Sequence, residues 1–177
     1  NTQILIPMKK GILGSYNINK KIQNKIGCDK EVLKKNEDIS IYENDIVIQT
    51  KNNYKLGVIN GDIGKIIGME IEGKKKSIIV NINGQDFSYE GKDIFDFDPA
   101  YALTIHRSQG SEYNNVIIPI SHFHEFMLDP KLLYTAVTRA KNKVTLIGNK
   151  KSFIRGLESN WKYSRLTFLK NRIQDFL

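Results

Sequence analysis

Two apolar runs without alternation, Asn115 to Ile120 and Lys143 to Gly148, constrain this chain more than any other feature. A strand with one wet face alternates apolar and polar residues, whereas a continuous run reads as a strand buried on both faces of a parallel sheet. Gln3 to Met8 reads as a third strand, punctuated by Pro7 and Gly11. Ile18, Ile22 and Ile26 then recur at i, i+4 and i+8, which predicts a helix with one apolar stripe. Asp98-Pro99 and Asp129-Pro130 each set a capping carboxylate before a proline whose φ suits a first helical turn. They predict helices over 99–109 and 130–141, with Gly110 closing the first. The outer segments are therefore expected to form an α/β unit.

From Ile41 the texture changes. Short β-branched runs (Asp45 to Thr50, Asp62 to Ile67, Ser77 to Ile82, Phe87 to Tyr89) are separated by Gly57, Gly61, Gly68, Gly73, Gly84 and Gly91. Strands at this spacing with glycine turns predict a small antiparallel barrel that interrupts the α/β unit. The expected division is 1–40 with 97–177 for the α/β unit and 41–96 for the barrel. Beyond Asn149 two further helical stretches are expected, the last with Leu166, Leu169, Ile173 and Phe176 on one face.

Charge and cysteine content narrow the partners. The chain has 177 residues and a formal net charge of +8. The surplus sits at the ends, +4 over 1–40 and +5 over 149–177, while 41–96 carries −2. A polyanion in the middle would thus be gripped by particular residues and not by bulk charge. The longest apolar stretch, Val116 to Ile120, is too short to cross a bilayer. One cysteine, Cys28, and three histidines provide no zinc ligand pattern, so no metal site is expected and a cytoplasmic location is the simplest. The chain opens at Asn1 directly into a strand, which reads as a piece of something longer.

Several chemistries lose their support. Gly68 to Lys74 fits GxxxxGK, but Lys75 stands where a Ser or Thr must hold Mg²⁺, and the stretch lies between two barrel strands. It reads as a basic hairpin tip. Asp93 and Asp96 flank only Ile94-Phe95 and read as closing the barrel, not as a Walker B pair. Ser108-Gln109-Gly110-Ser111 supplies no GxSxG elbow.

Two polar strings remain: Ala100 to Glu112 (AYALTIHRSQGSE) and Leu133 to Lys141 (LYTAVTRAK). The first resembles motif V of superfamily 1 helicases and the second resembles their motif VI, in the right order with a strand between. QILIPMKKGILGS (Gln3 to Ser15) with Asn19 and Gln23 resembles the segment after motif IV of RecD-like helicases, the exodeoxyribonuclease V alpha-subunit type. NDIVIQTKNNYKLGVINGDIG (Asn44 to Gly64) resembles the start of their SH3-like insertion. RLTFL (Arg165 to Leu169) is only weakly similar to the family's C-terminus.

The resemblance implies a RecA-like parallel sheet with helices, interrupted by an SH3-like barrel, and an ATP-driven 5′-to-3′ DNA translocase. ATP and Mg²⁺ would be bound mainly by a first, Walker-containing domain absent from this chain, so the chain alone is expected to be inactive. Arg139 is implied as the arginine finger, with Gly110 and Glu112 near the nucleotide; a plain helix-terminal charge is the other reading of Glu112. Thr104, His106, Arg107 and Ser108 are implied on the single-stranded DNA face, with Arg107 facing either phosphate or solvent. Gln49, Lys51, Asn52, Asn60 and Gly61 are implied along the DNA path of the insertion. Asn60-Gly61-Asp62 also reads as a type I′ turn, and Tyr54 and Tyr89 as either stacking or core aromatics. Implied partners are single-stranded DNA and the N-terminal RecA-like domain, with nuclease or repair subunits left open. A conjugative relaxase-helicase with the same fold and a freestanding nucleic-acid-binding adaptor remain the alternatives.

Overall fold

A computed structural model describes residues 2–26, 31–34, 36–37, 39–73 and 75–159. In chain order the elements are β1 (Thr2–Ile6), α1 (Ser15–Ile26), β2 (Glu31–Lys34), β3 (Ser40–Tyr42), β4 (Ile46–Gln49) and β5 (Ile63–Glu72). Next come β6 (Lys75–Ile82), β7 (Gln85–Glu90), β8 (Phe97–Pro99), β9 (Ala102–Thr104) and β10 (Tyr113–Ile120). The last are α2 (Pro130–Val137), β11 (Ala140–Gly148) and α3 (Lys150–Glu158).

Two sheets carry the fold. β11-β10-β1-β9 is wholly parallel. β7-β6-β5-β4-β8 is antiparallel, built from the glycine-punctuated runs. β2 and β3 form a separate antiparallel pair. Each large sheet has its own core. Leu5, Leu103, Ile105, Val116, Ile118, Leu128 and Leu133 are buried on the parallel sheet. Ile41, Val47, Ile66, Ile78, Val80, Tyr89 and Phe97 are buried on the antiparallel one. β4 belongs to both, because successive strand residues face opposite ways: Val47 enters one core and Ile48 the other.

The chain leaves β8 and starts β9 after only two residues, Ala100 and Tyr101, so it crosses between sheets with its backbone groups unable to join either ladder in full. Side chains satisfy them. Asn19 Nδ2 donates to the carbonyls of Pro99 and Ala102, both at 3.0 Å, and its Oδ1 accepts the Ala102 N–H at 2.7 Å. Gln3 Nε2 donates to the carbonyls of Ala100 and Tyr101, each at 3.0 Å. The Tyr101 hydroxyl donates to Asp45 Oδ1 at 2.9 Å, and Gln23 Nε2 donates to Asp45 Oδ2 at 2.7 Å. Gln3, Asn19, Gln23 and Asp45 are all buried.

This polar seam corrects the expectation for α1. The helix exists, but its buried stripe is Ser15, Asn19 and Gln23, and Ile26 is 56% exposed. The region after Asp98 is corrected as well. No α-helix runs over 99–109: Phe97–Pro99 is a strand paired with β4, Asp98 binds Arg107, and Thr104 accepts the Arg107 N–H as cap of a 3-10 turn over Ile105–Ser108. Tertiary pairing overrides the local Asp-Pro signal. Asp129-Pro130 does start a helix, with Asp129 Oδ1 accepting the Leu132 N–H at 2.7 Å. That helix ends at Val137, since the Arg139 carbonyl already accepts the Tyr113 N–H and the chain enters β11 at Ala140. β11 is an edge strand, and among the described residues Leu146 and Ile147 stay exposed, contrary to burial on both faces.

Turn chemistry also moves. A type I′ turn needs positive φ at both central residues. Asn83 and Gly84, between β6 and β7, have φ of 53° and 86°. At Asn60-Gly61 only Gly61 is positive (103°), which is the type II pattern, at the end of a loop spanning 50–62. Gly68 to Gly73 of the GxxxxGK stretch belong to the β5–β6 hairpin, with Glu72 paired to Lys75. Tyr89 is core: it packs edge-to-face on Phe97 at 4.5 Å, and burial, helped by Asp62, Asp93 and Asp96, pushes its hydroxyl up to about 12. The expected last helix with Leu166 and Phe176, like Cys28, lies outside the described residues. Among those described, no helix is long and apolar enough to cross a membrane.

Two stability predictions follow from this packing. Removing Asn19 takes a hydrogen-bond partner from three buried backbone groups, at about 1 kcal/mol each. Asn19→Ala should lower the unfolding free energy by about 2–3 kcal/mol in urea titration, whereas exposed Lys20→Ala should change it by less than about 0.5 kcal/mol. His124 is buried, with Nε2 at 3.3 Å from the Leu13 carbonyl, and burial holds its pKa below the ordinary 6.5. The folded state thus resists protonation that the unfolded chain accepts, so the stability tied to this ring is complete above pH 6.5 and declines as pH falls below it. Melting temperature followed from pH 8 to 5 should fall less steeply in His124→Gln than in the parent sequence.

Candidate functional site

β10 and β11 start side by side, and the residues leading into them converge. Arg139 follows α2 and is held by backbone and hydroxyl oxygens: Nε donates to the Thr135 carbonyl at 3.2 Å, Nη1 to the Ser111 carbonyl at 3.2 Å and Nη2 to Thr138 Oγ1 at 3.3 Å. No carboxylate pairs with it among the described residues. Its charge is therefore fixed in place yet not neutralised, which leaves it able to bind an anion. Glu112 lies beside this cluster and pairs with Lys141 at 3.1 Å, both more than half exposed, a contact of small energy. Gly110, two residues earlier, is exposed with φ of 87°, the left-handed turn that carries the chain from the 3-10 segment toward β10.

A cleft of about 590 Å³ opens where the loop before β5 faces the 3-10 turn. Asn60 and Gly61 line one side, and His106, Arg107, Gln109 and Gly110 line the other. His106 is exposed and, with Gln109, also borders a second hollow of about 290 Å³ that reaches Lys131 and Thr135 on α2. The cleft is not strongly basic: Arg107, its one permanent cation, donates to Asp98 at 2.6 Å.

The structure separates the expected site residues into two groups. Asn60, Gly61, His106, Arg107 and Gly110 meet at the cleft, and Glu112 and Arg139 lie at the adjacent starts of β10 and β11, Glu112 pairing with Lys141 and Arg139 with the Ser111 carbonyl. Thr104 and Ser108 are buried, the first capping the 3-10 turn and the second donating to the Ile105 carbonyl at 2.8 Å, so both shape the loop from within. Gln49 is buried and donates to the Lys51 carbonyl at 2.9 Å. Lys51 binds Asp96 at 2.7 Å, which raises the Lys51 pKa, and Asn52 accepts the Asn60 N–H at 2.8 Å. These three support the loop that carries Asn60 and Gly61.

Gln109 was not among the expected site residues. It caps the 3-10 turn and lines both hollows together with His106. Among the described residues no group of three or more His, Cys, Asp or Glu side chains is placed to hold a metal ion.

Residues 99–147 match the UvrD-like helicase C-terminal domain. The chain is 33% identical over 147 residues to the ATP-dependent RecD2 DNA helicase of Deinococcus radiodurans, covering 83% of this chain and 20% of that protein. It is 29% identical over 164 residues to RecBCD enzyme subunit RecD of Buchnera aphidicola, covering 90% of this chain and 27% of the relative. The chain thus spans about a fifth to a quarter of these relatives. In fold it is similar to the Pif1 helicase from Bacteroides in complex with ADP-AlF3 and ssDNA, with a TM-score of 0.60 at 17% identity over 98% of this chain and 44% of that one. It is also similar to the Pif1 helicase from Candida albicans, with a TM-score of 0.60 at 13% identity over 87% and 47%. These likenesses make the fold RecA-like.

Arg107 is 29% and Asp98 only 6% exposed, so breaking their ion pair leaves a carboxylate charge inside the fold. Arg107→Ala should destabilise the chain by about 2 kcal/mol in urea titration, with Arg107→Lys recovering part of the loss.

Proposed function

Because this chain carries a UvrD-like helicase C-terminal domain and is similar to RecD and RecD2 helicases, we propose that it is the second motor domain of an ATP-dependent DNA helicase. In this reading residues 1–40 and 97–177 are the RecA-like unit and 41–96 an SH3-like insertion. A first domain with the Walker loops completes the ATP site, and the whole moves 5′ to 3′ along single-stranded DNA in the cytoplasm.

The observation that carries the reading is the state of Arg139. A guanidinium tied to backbone oxygens, with no carboxylate partner among the described residues, fits a phosphate approaching from another domain. Bound ATP with Mg²⁺ supplies the phosphoryl group whose transfer drives movement. This chain would contribute Arg139 to its terminal phosphate, with Gly110 and Glu112 near the nucleotide, while the metal is held by the first domain. His106 and the Asn60-Gly61 turn would contact DNA across the cleft, backed by Gln49, Lys51, Asn52, Thr104 and Ser108. Contacts through amides and an imidazole grip phosphate and sugar without reading sequence, as a translocase requires.

The test is DNA-stimulated ATP turnover by the intact protein. Arg139→Ala should reduce turnover by about 10³-fold or more with nucleotide affinity largely kept. His106→Ala should chiefly weaken the stimulation by DNA. Normal turnover in Arg139→Ala removes the finger assignment, and DNA binding by the intact protein with no DNA-stimulated ATP turnover at all would favour the adaptor reading.

A further inference from the structure

We propose that Tyr54 is a stacking platform for an unpaired base at the mouth of the cleft, a role that rests on the reading of this domain as a single-stranded DNA contact. Tyr54 is 83% exposed, at the tip of the loop between β4 and β5. A lone exposed aromatic is ordinary on a protein surface. Tyr54 differs because it is held in place.

The loop is closed at its base by paired backbone bonds, Asn53 N–H to the Val58 carbonyl at 2.7 Å and Val58 N–H to the Asn53 carbonyl at 3.1 Å. Asn53 Nδ2 fastens that base to Asp93 Oδ2 at 3.0 Å, and its Oδ1 accepts the Leu56 N–H at 3.3 Å. Asn52 then makes the decisive link. Its Nδ2 donates to the Tyr54 hydroxyl at 3.0 Å, while its Oδ1 accepts the N–H of Asn60, which lines the cleft. One amide thus ties the phenol to the lip of the cleft.

An aromatic ring fixed this way loses little conformational freedom on meeting a ligand. Nucleobases fit it: each has a π-face, and stacking on an aromatic side chain contributes about 1–3 kcal/mol per base with little sequence preference. Lys55, exposed and next in sequence, adds a cation to the same loop tip for an adjoining phosphate. A small patch of this kind grips a strand without the bulk positive charge that the segment lacks.

The experiment compares binding of the intact protein to an oligo-dT strand and to an abasic strand of equal length at fixed salt. Tyr54→Ala should weaken binding to oligo-dT about tenfold and leave the abasic strand unchanged, while Tyr54→Phe, which keeps the ring but loses its tie to Asn52, should fall between the parent and Tyr54→Ala on oligo-dT and match the parent on the abasic strand. Equal weakening on both strands, no weakening on oligo-dT, or Tyr54→Phe as weak as Tyr54→Ala would each overturn the stacking role. If the parent protein binds neither strand, the DNA reading itself falls along with it. If it binds oligo-dT and Tyr54→Ala binds equally well, only the stacking assignment is lost.

Discussion

The side-chain amides of Gln3, Asn19 and Gln23 and the carboxylate of Asp45 decide how this chain is put together. Gln3, Asn19 and Asp45, the last held by Gln23, hydrogen-bond the segment between β8 and β9, where the backbone leaves an antiparallel sheet and joins a parallel one within two residues. A buried peptide group without a partner is expensive, and a switch between two ladders produces several at once. Supplying the partners from β1, α1 and the start of β4 makes those three elements converge on one short stretch. The rest of the topology is arranged around that convergence.

The cleft is a consequence. With 99–102 pinned, the 3-10 turn over 105–108 leaves β9 in a fixed direction, and Arg107 is anchored to Asp98 on the neighbouring sheet. β4, shared between two cores, carries the 50–62 loop against that turn. On the opposite approach, the backbone bond between Tyr113 and Arg139 aligns the starts of β10 and β11 and sets the guanidinium over Ser111. The two groups of site residues are joined through Ser111, which lines the cleft and whose carbonyl accepts from Arg139. That link suits the proposed role of relating a nucleotide to a strand of DNA.

Much of this was legible in the residues. Continuous apolar runs placed β1 and β10, glycine spacing placed the antiparallel strands, and Asp129-Pro130 placed the start of α2. What misled was local chemistry that lost to long-range pairing. Asp98-Pro99 has the form of a helix start, yet Pro99 faces Val47 across a sheet and Asp98 faces Arg107. The isoleucine stripe of α1 has the right period, yet a helix that serves a sheet crossover buries its amides instead. Thr104 and Ser108 sit in a string whose resemblance marks it as functional, but a short polar residue in a tight turn is often used to hold the turn itself. Gln109 carries no charge or ring to mark it, and only the fold shows it lining the cleft beside His106.

Val47 and Pro99 are register partners in adjacent strands, so the two points where the chain enters and leaves the antiparallel segment are neighbours. A segment with adjoining ends adds little loop-closure entropy to its host however long it grows, which makes it a module that evolution can lengthen, exchange or trim. The freedom is not symmetrical. Ile46, Ile48 and Ile63 pack into the core of the parallel sheet, so the outer strands and the Tyr54 loop are interchangeable parts while the root belongs to the host. Variation among chains of this fold should accumulate in the outer strands and stop at β4.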